Sequence, residues 1–301
     1  MHTLRANDPY SNPLYAIIGL FLFILFFSAC GSFIMQGIAH FAGTDYQDAI
    51  TQLKTNNTLG IRNYVRLSSI ISQLTTFAIP SLALVLFIYR KKWSKFLKIN
   101  HLPPYQLIVL GVFFLFATFP LAQWLLVFNR SLPLPEWAVS LEKDLGALSS
   151  ALLVMESPWE LVINIFTIAI IPAIGEELLF RGVLQQKLQS WIKRPHIAIW
   201  LAAIIFSAFH GQFEGFLARL LLGAALGYLL YWTNNLWIPI LAHFFNNAAQ
   251  VTIQYFTDIR PEADRIPEIP SFLLFLSIIL AAVLGYLIIH FNNKTLVHDR
   301  K

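Results

Sequence analysis

The chain has 301 residues, 57% of them hydrophobic and only 12% charged, with a strongly positive mean hydropathy. That balance excludes an ordinary soluble domain and points to a membrane protein. The net charge of +5 does not point to nucleic acid, because the basic residues sort by side of a membrane, and the single cysteine, Cys30, excludes an intramolecular disulfide.

Apolar runs near the roughly 20 residues needed to cross a bilayer fall at about 14–36, 68–89, 105–128, 160–181, 196–212, 216–232, 236–256 and 271–291, eight in all. The first contains "FFSACGS", a faint likeness to a lipoprotein cleavage site, but Phe27 is not the small aliphatic residue such a site carries three before its cysteine. An uncleaved span with a buried thiol is expected. Spans one to three hold small and hydroxyl residues with Gln36, Gln73 and Gln123, and no ionisable group except His40 at one end. Two loops, about 42–66 and 129–159, are long enough for surface helices. "PLPEWAVSLEKDLGALSSALLVM" alternates at near-helical spacing and is expected along the interface. Spans five and six, parted only by "GQFE", are short and read as a tight helical hairpin.

With the N-terminus in the cytoplasm, the N-tail, the 90–104 loop, the 181–195 loop and the C-tail hold 13 of the 21 Lys and Arg; the opposite loops hold 7, and Arg219 lies within a span. Most loop carboxylates, including Asp45, Asp48, Glu142, Asp144, Asp258, Glu262 and Glu268, fall outside. The positive-inside rule then puts both termini in the cytoplasm, for a multi-pass protein of the cytoplasmic membrane. No internal repeat or linker interrupts the chain. The expectation is one all-α membrane domain, a bundle of about eight transmembrane helices with a polar intramembrane cavity. Residues 1–154 form its first three spans, 155–256 a polar core, and 257–301 the last loop, span and tail.

The polar core begins at "IPAIGEELLFRG". A charge near the bilayer centre costs about 2.5–3.5 kcal/mol on insertion scales, so Glu176, Glu177 and Arg181 need compensation. Either the span ends at Ala173 and leaves a wet turn, or the helix continues, as "LLF" and "VLQQKLQSWI" suggest. On a continuous helix Glu177 and Arg181 stand four apart on one face and form an ion pair. Glu176 points elsewhere, toward a cavity, where partial desolvation raises its basicity. In "FSAFHG", Phe206 and His210 share a face; a lone intramembrane His is often structural. In "LAHFFNNAAQ", His243 and Asn247 lie one turn apart with Asn246 beside them, fit to hold a developing oxyanion or to bridge helices. Together these supply a base, a water-orienting imidazole and two oxyanion donors, the minimum for hydrolysing an amide with water. Ser207 is near His210 in sequence but lies off its face and lacks a third partner for a triad.

With "EELLFR" at 176–181, "FSAFH" at 206–210 and "HFFNN" at 243–247, the sequence resembles the CPBP intramembrane proteases, whose motifs are EExxxR, FxxxH and HxxxN. That family includes type II CAAX prenyl endopeptidases and bacterial proteins linked to bacteriocin processing or immunity. The resemblance covers about 155–255. It implies that Glu176 activates water with help from His210, that His243 and Asn247 form the oxyanion site, and that Glu177, Arg181 and Phe206 support the geometry. The implied fold is a bundle of about eight helices with a cavity open to the cytoplasm. Such proteins are commonly labelled metalloproteases, and Glu176, His210 and His243 could bind Zn²⁺. There is no HExxH, however, and the ligands come from three helices, so a glutamate-activated water without a cofactor is the favoured reading. The expected activity is endoproteolysis of a membrane-associated peptide, lipid-modified or not; the expected partners are the bilayer and that peptide, with no nucleic acid. The alternative is a non-hydrolytic membrane partner or bacteriocin-immunity protein using the same cavity. A proton-coupled transporter fits less well for want of a repeat.

Overall fold

The computed structural model describes residues 12–43, 46–55, 57–257 and 269–298. Asp45, Asp258, Glu262 and Glu268, assigned above to outer loops, lie outside the described residues, as do residues 1–11 and 299–301 of the two tails. Among the described residues the fold is all helix. The first helix, α1 (Pro13–Ala42), starts where Asn12 accepts a hydrogen bond from the Leu14 amide (3.0 Å) and Pro13 gives up an amide that no helix would use. It stops at Gly43, whose φ of 68° is the left-handed value that ends helices.

A short surface helix, α2 (Tyr46–Thr55), leads to α3 (Leu59–Gln73), which passes through a π-helical turn, π1 (Leu74–Ala78), into α4 (Ile79–Tyr89). The basic run at 90–98 contains a short helix, α5 (Trp93–Phe96). The next crossing is made of α6 (Tyr105–Ala117) and α7 (Phe119–Arg130); α8 (Glu136–Leu152) fills the long loop, as its alternation predicts. The fourth crossing joins α9 (Pro158–Asn164), π2 (Ile165–Ile170), α10 (Ile171–Glu177), π3 (Leu178–Gln185) and α11 (Gln186–Ile192). After it come α12 (Pro195–Phe209), α13 (Phe216–Thr233), α14 (Trp237–Thr257) and α15 (Ser271–His298).

All eight apolar runs are helical, but only six helices among the described residues are long and apolar enough to cross a membrane. α12 has 15 residues, about 22 Å of helix and short of a hydrocarbon core. α14 has 21 residues, but His243, Asn246, Asn247, Gln250 and Gln254 dilute its apolar character. The fourth helix settles the question left by "GEELLFRG": it continues to Ile192, so the 181–195 stretch counted above as a loop is helix over most of its length. Glu176, Glu177 and Arg181 are 5%, 0% and 1% exposed. The wet-turn alternative does not hold.

One apolar core joins α1, α4, π3, α11, α12 and α14 around Phe180, Leu184 and Leu236. A second joins α6, α13, α14 and α15 around Phe114, Leu229, Ile238 and Ile288. α14, sharing both cores, is the inner helix that presents the third motif. At the end of the bundle that carries α2 and α8, the buried Arg62 and Arg66 of α3 grip Glu160 of α9. Arg62 Nε and Arg66 Nη1 both donate to Glu160 Oε1, at 2.7 and 2.9 Å; Arg62 Nη2 also reaches Glu156 (2.7 Å), and Arg66 Nε reaches Asn164 (2.7 Å). Two cations and two carboxylates close on themselves, fixing α3 to the start of the fourth crossing.

Candidate active site

Two π-helical segments flank α10, the helix that carries the paired glutamates. Such widened turns are uncommon and gather at functional positions. Pro172 contributes to the first: it has no N–H for the carbonyl of Ile168 four residues earlier, and its ring crowds that carbonyl. The amide of Asn247, on α14, donates to the same Ile168 carbonyl (3.3 Å), as neighbouring helices do for backbone freed by proline in membranes. Asn246 Nδ2 in turn donates to Asn247 Oδ1 (3.1 Å). Asn247 is thus half committed: one of its two N–H donors holds π2 at the start of α10, and one is left for other use.

Arg181 Nη1 stands 2.6 Å from Glu177 Oε1, the i,i+4 pair expected from spacing. A third member joins them that spacing does not reveal. His243 Nδ1 also lies 2.9 Å from Glu177 Oε1, so one carboxylate oxygen receives both a guanidinium and an imidazole from a helix 66 residues away. A carboxylate only accepts, so Nδ1 carries the hydrogen and His243 Nε2 faces onward. It faces Glu176, whose Oε2 is 4.0 Å away, beyond a direct hydrogen bond. Glu176 is therefore the carboxylate not engaged with Arg181, as helical spacing predicts.

Phe206 connects the motifs. Its ring lies under the Arg181 guanidinium, 4.5 Å from centroid to Cζ, a cation–π contact in an apolar surround. The same ring packs edge-on against His210 (4.9 Å) and His243 (6.3 Å between centroids). His210 Nδ1 donates to the Phe206 carbonyl (2.9 Å), which leaves its Nε2 as the open nitrogen. With Arg181, His210 and His243 all against the Phe206 ring, the three motifs converge. Ser207 is spent elsewhere, donating to the Phe216 carbonyl (2.7 Å), and makes no nucleophile.

The bed under Arg181 is a feature the three motifs do not contain. Arg181 Nη2 donates to the Gly223 carbonyl (2.8 Å), and Gln185, one turn on, donates to the Gly227 carbonyl (3.0 Å). A Cβ on Gly227 would stand 2.7 Å from Gln185 Oε1 and 2.9 Å from Ile199 Cγ2; one on Gly223 would meet Phe206 Cδ1 at 3.0 Å. The signal for it in the sequence is the GxxxG of "LGAALG", the pattern that lets membrane helices approach closely. The hairpin between α12 and α13 is held from outside the motifs: Arg130 pairs with Glu214 (2.9 Å), Glu142 accepts from the Glu214 amide (2.8 Å), and Asn129 accepts from the Leu217 amide (2.9 Å).

The metal candidates do not assemble. Among the described residues no three His, Cys, Asp or Glu side chains form a group fit to hold a metal ion, and Glu176, His210 and His243 are no exception. A cavity of about 680 Å³ also lies elsewhere, between α1, α3, π1 and α8, and none of the four catalytic candidates lines it.

This is an all-α, polytopic integral membrane protein with a buried Glu–His–Arg cluster shared among three helices. Residues 158–249, the stretch that brings the cluster together, match the family model described as type II CAAX prenyl endopeptidase Rce1-like, as the three motifs implied. The matched segment is less than a third of the chain. The chain is also 35% identical over 89 residues to the uncharacterized protein YpbD of Bacillus subtilis (strain 168), a match covering 28% of this chain and 42% of that protein. No solved structure matches.

Proposed function

We propose that the protein is an intramembrane endopeptidase of CAAX type, hydrolysing a peptide bond with a water activated by Glu176. The matched family supports the class of activity. The observation that carries the mechanism is that Glu176 is buried, apart from the Glu177–Arg181 pair, and faces the open nitrogen of His243.

In this mechanism a water lies between Glu176 and His210 Nε2. Glu176 takes its proton as the water oxygen attacks the peptide carbonyl. The charge that develops on the carbonyl oxygen is met by His243 Nε2–H and the spare N–H of Asn247. To donate there while Nδ1 donates to Glu177, His243 carries hydrogen on both ring nitrogens. The proton on Glu176 then passes to the leaving nitrogen as the C–N bond breaks. No step is routed through a metal.

The substrate is a membrane-held peptide, and both termini of the enzyme face the cytoplasm of the cell membrane, in keeping with the basic 90–98 segment. The test compares membrane peptides in cells carrying Glu176→Ala with those of the parent. Accumulation of an uncleaved precursor is the expected result. An unchanged peptide set would favour the non-hydrolytic partner or immunity protein instead.

A further inference from the structure

Two polar stripes are unused by this chemistry. Ser28, Ser32 and Gln36 recur every fourth residue along α1; Ser69, Gln73 and Thr76 lie on α3 and π1; all six line the 680 Å³ cavity. That volume is within the roughly 300–1,000 Å³ of ligand pockets. Among the described residues no Asp, Glu, Lys, Arg or His lines it. Ser28 and Thr76 close one end through a hydroxyl–hydroxyl bond of 3.1 Å. The hydroxyls of Ser32 and Ser69 already donate to carbonyls of their own helices, so each offers lone pairs. Gln73 Oε1 is buried without a partner. The described walls are rich in acceptors and carry no charge.

These features choose among occupants. A lipid tail needs no hydrogen bonds, and a lipid phosphate needs cations. A peptide unwound for cleavage inside a membrane exposes N–H and C=O groups, each costing several kcal/mol if left bare in hydrocarbon. Ser28 to Gln36 spans about 12 Å of helix, the length of three to four extended residues at ~3.3 Å each.

The cavity also adjoins the proposed site. Phe77 of π1 packs against Phe180 and Phe209 with centroids 6.1 Å from each, and a Cβ on Gly175, next to Glu176, would lie 3.2 Å from Phe77 Cβ. Leu145, on the cavity wall, would lie 3.8 Å from a Cβ on Gly211, the residue after His210.

We propose that this cavity binds an extended, uncharged segment of the peptide substrate along the two polar stripes while the scissile bond lies at Glu176. The inference rests on the peptidase reading above.

The test uses the full chain in liposomes and a radiolabelled farnesylated peptide ending in Cys-a-a-X. In a Glu176→Ala background, a photoactivatable benzoylphenylalanine replaces either Ser72, on the cavity lining, or Phe33, a 72% exposed position of α1 that does not line it. Labelled peptide is expected to cross-link at 72 and not at 33. Adducts at 72 containing only lipid, or equal labelling at both positions, overturn the proposal. In the active chain, Gln73→Leu is expected to raise KM roughly fivefold to tenfold, the worth of one hydrogen bond, with kcat retained; an unchanged KM counts against it. Cleavage by the unsubstituted chain with neither effect removes the cavity assignment and leaves the peptidase reading. Absence of cleavage with cross-linking at 72 does the reverse.

Discussion

His243 and Glu177, 66 residues apart, meet at 2.9 Å, and the oxygen that joins them is the same one that holds Arg181. The second glutamate of the motif is therefore a hinge between two helices as well as the partner of an arginine. It fixes which nitrogen of His243 carries hydrogen and where the other one points.

Replacing Glu177 by Gln keeps the shape but weakens the hold on His243. We expect kcat to fall about 10²-fold, the scale of a small misplacement of a reacting group, with the protein still folded in the membrane. Steady-state kinetics in liposomes decide it, and wild-type kcat would separate His243 from Glu177.

Arg181→Met takes the guanidinium from the buried Glu177 carboxylate and leaves it to His243, which costs on the order of 3–5 kcal/mol. The double variant Glu177→Gln with Arg181→Met removes both charges and should recover part of that loss. Thermal unfolding in detergent is the measurement, and a double variant less stable than Arg181→Met alone would contradict the pairing.

Gly227→Ala puts a methyl where Gln185 Oε1 and Ile199 Cγ2 stand, and should destabilise by about 1–3 kcal/mol by overpacking. Gly37→Ala, whose Cβ would meet nothing within 4 Å, serves as the control and should be neutral. Equal unfolding temperatures for the two variants would mean that α13 is free to move away.

Exhaustive treatment of purified protein with chelator should leave peptide cleavage unchanged if Glu176 works on water without a metal. Loss of activity that added Zn²⁺ restores would put a metal-bound water in place of the one Glu176 activates.

The site was legible in the sequence where chemistry is local. Glu177 and Arg181 lie one turn apart, so helical spacing alone pairs them and isolates Glu176. The link from Glu177 to His243 and the grip of Asn247 on the Ile168 carbonyl depend on how α14 lies against α10 and π2, which no local pattern encodes. Helix positions were legible from apolar runs, but the length of α12 and the polarity of α14 set them apart from the six membrane-crossing helices. The polar residues of the first two spans, given no role by their sequence, build a cavity of their own beside π1. The reason is geometric: Ser, Thr and Gln in an apolar helix turn inward, and inward for α1 means toward α3.

The closed cage of Arg62, Arg66, Glu156 and Glu160 bears on how the charge at that end of the folded protein is counted. Arg62 and Arg66 are two of the seven basic residues counted on the side opposite the 90–98 segment, and both are neutralised inside the protein by their carboxylate partners. The lock that binds α3 to α9 spends two cations and two carboxylates together, so on the topology proposed above two of the arginines that would pull against the orientation are occupied within the protein.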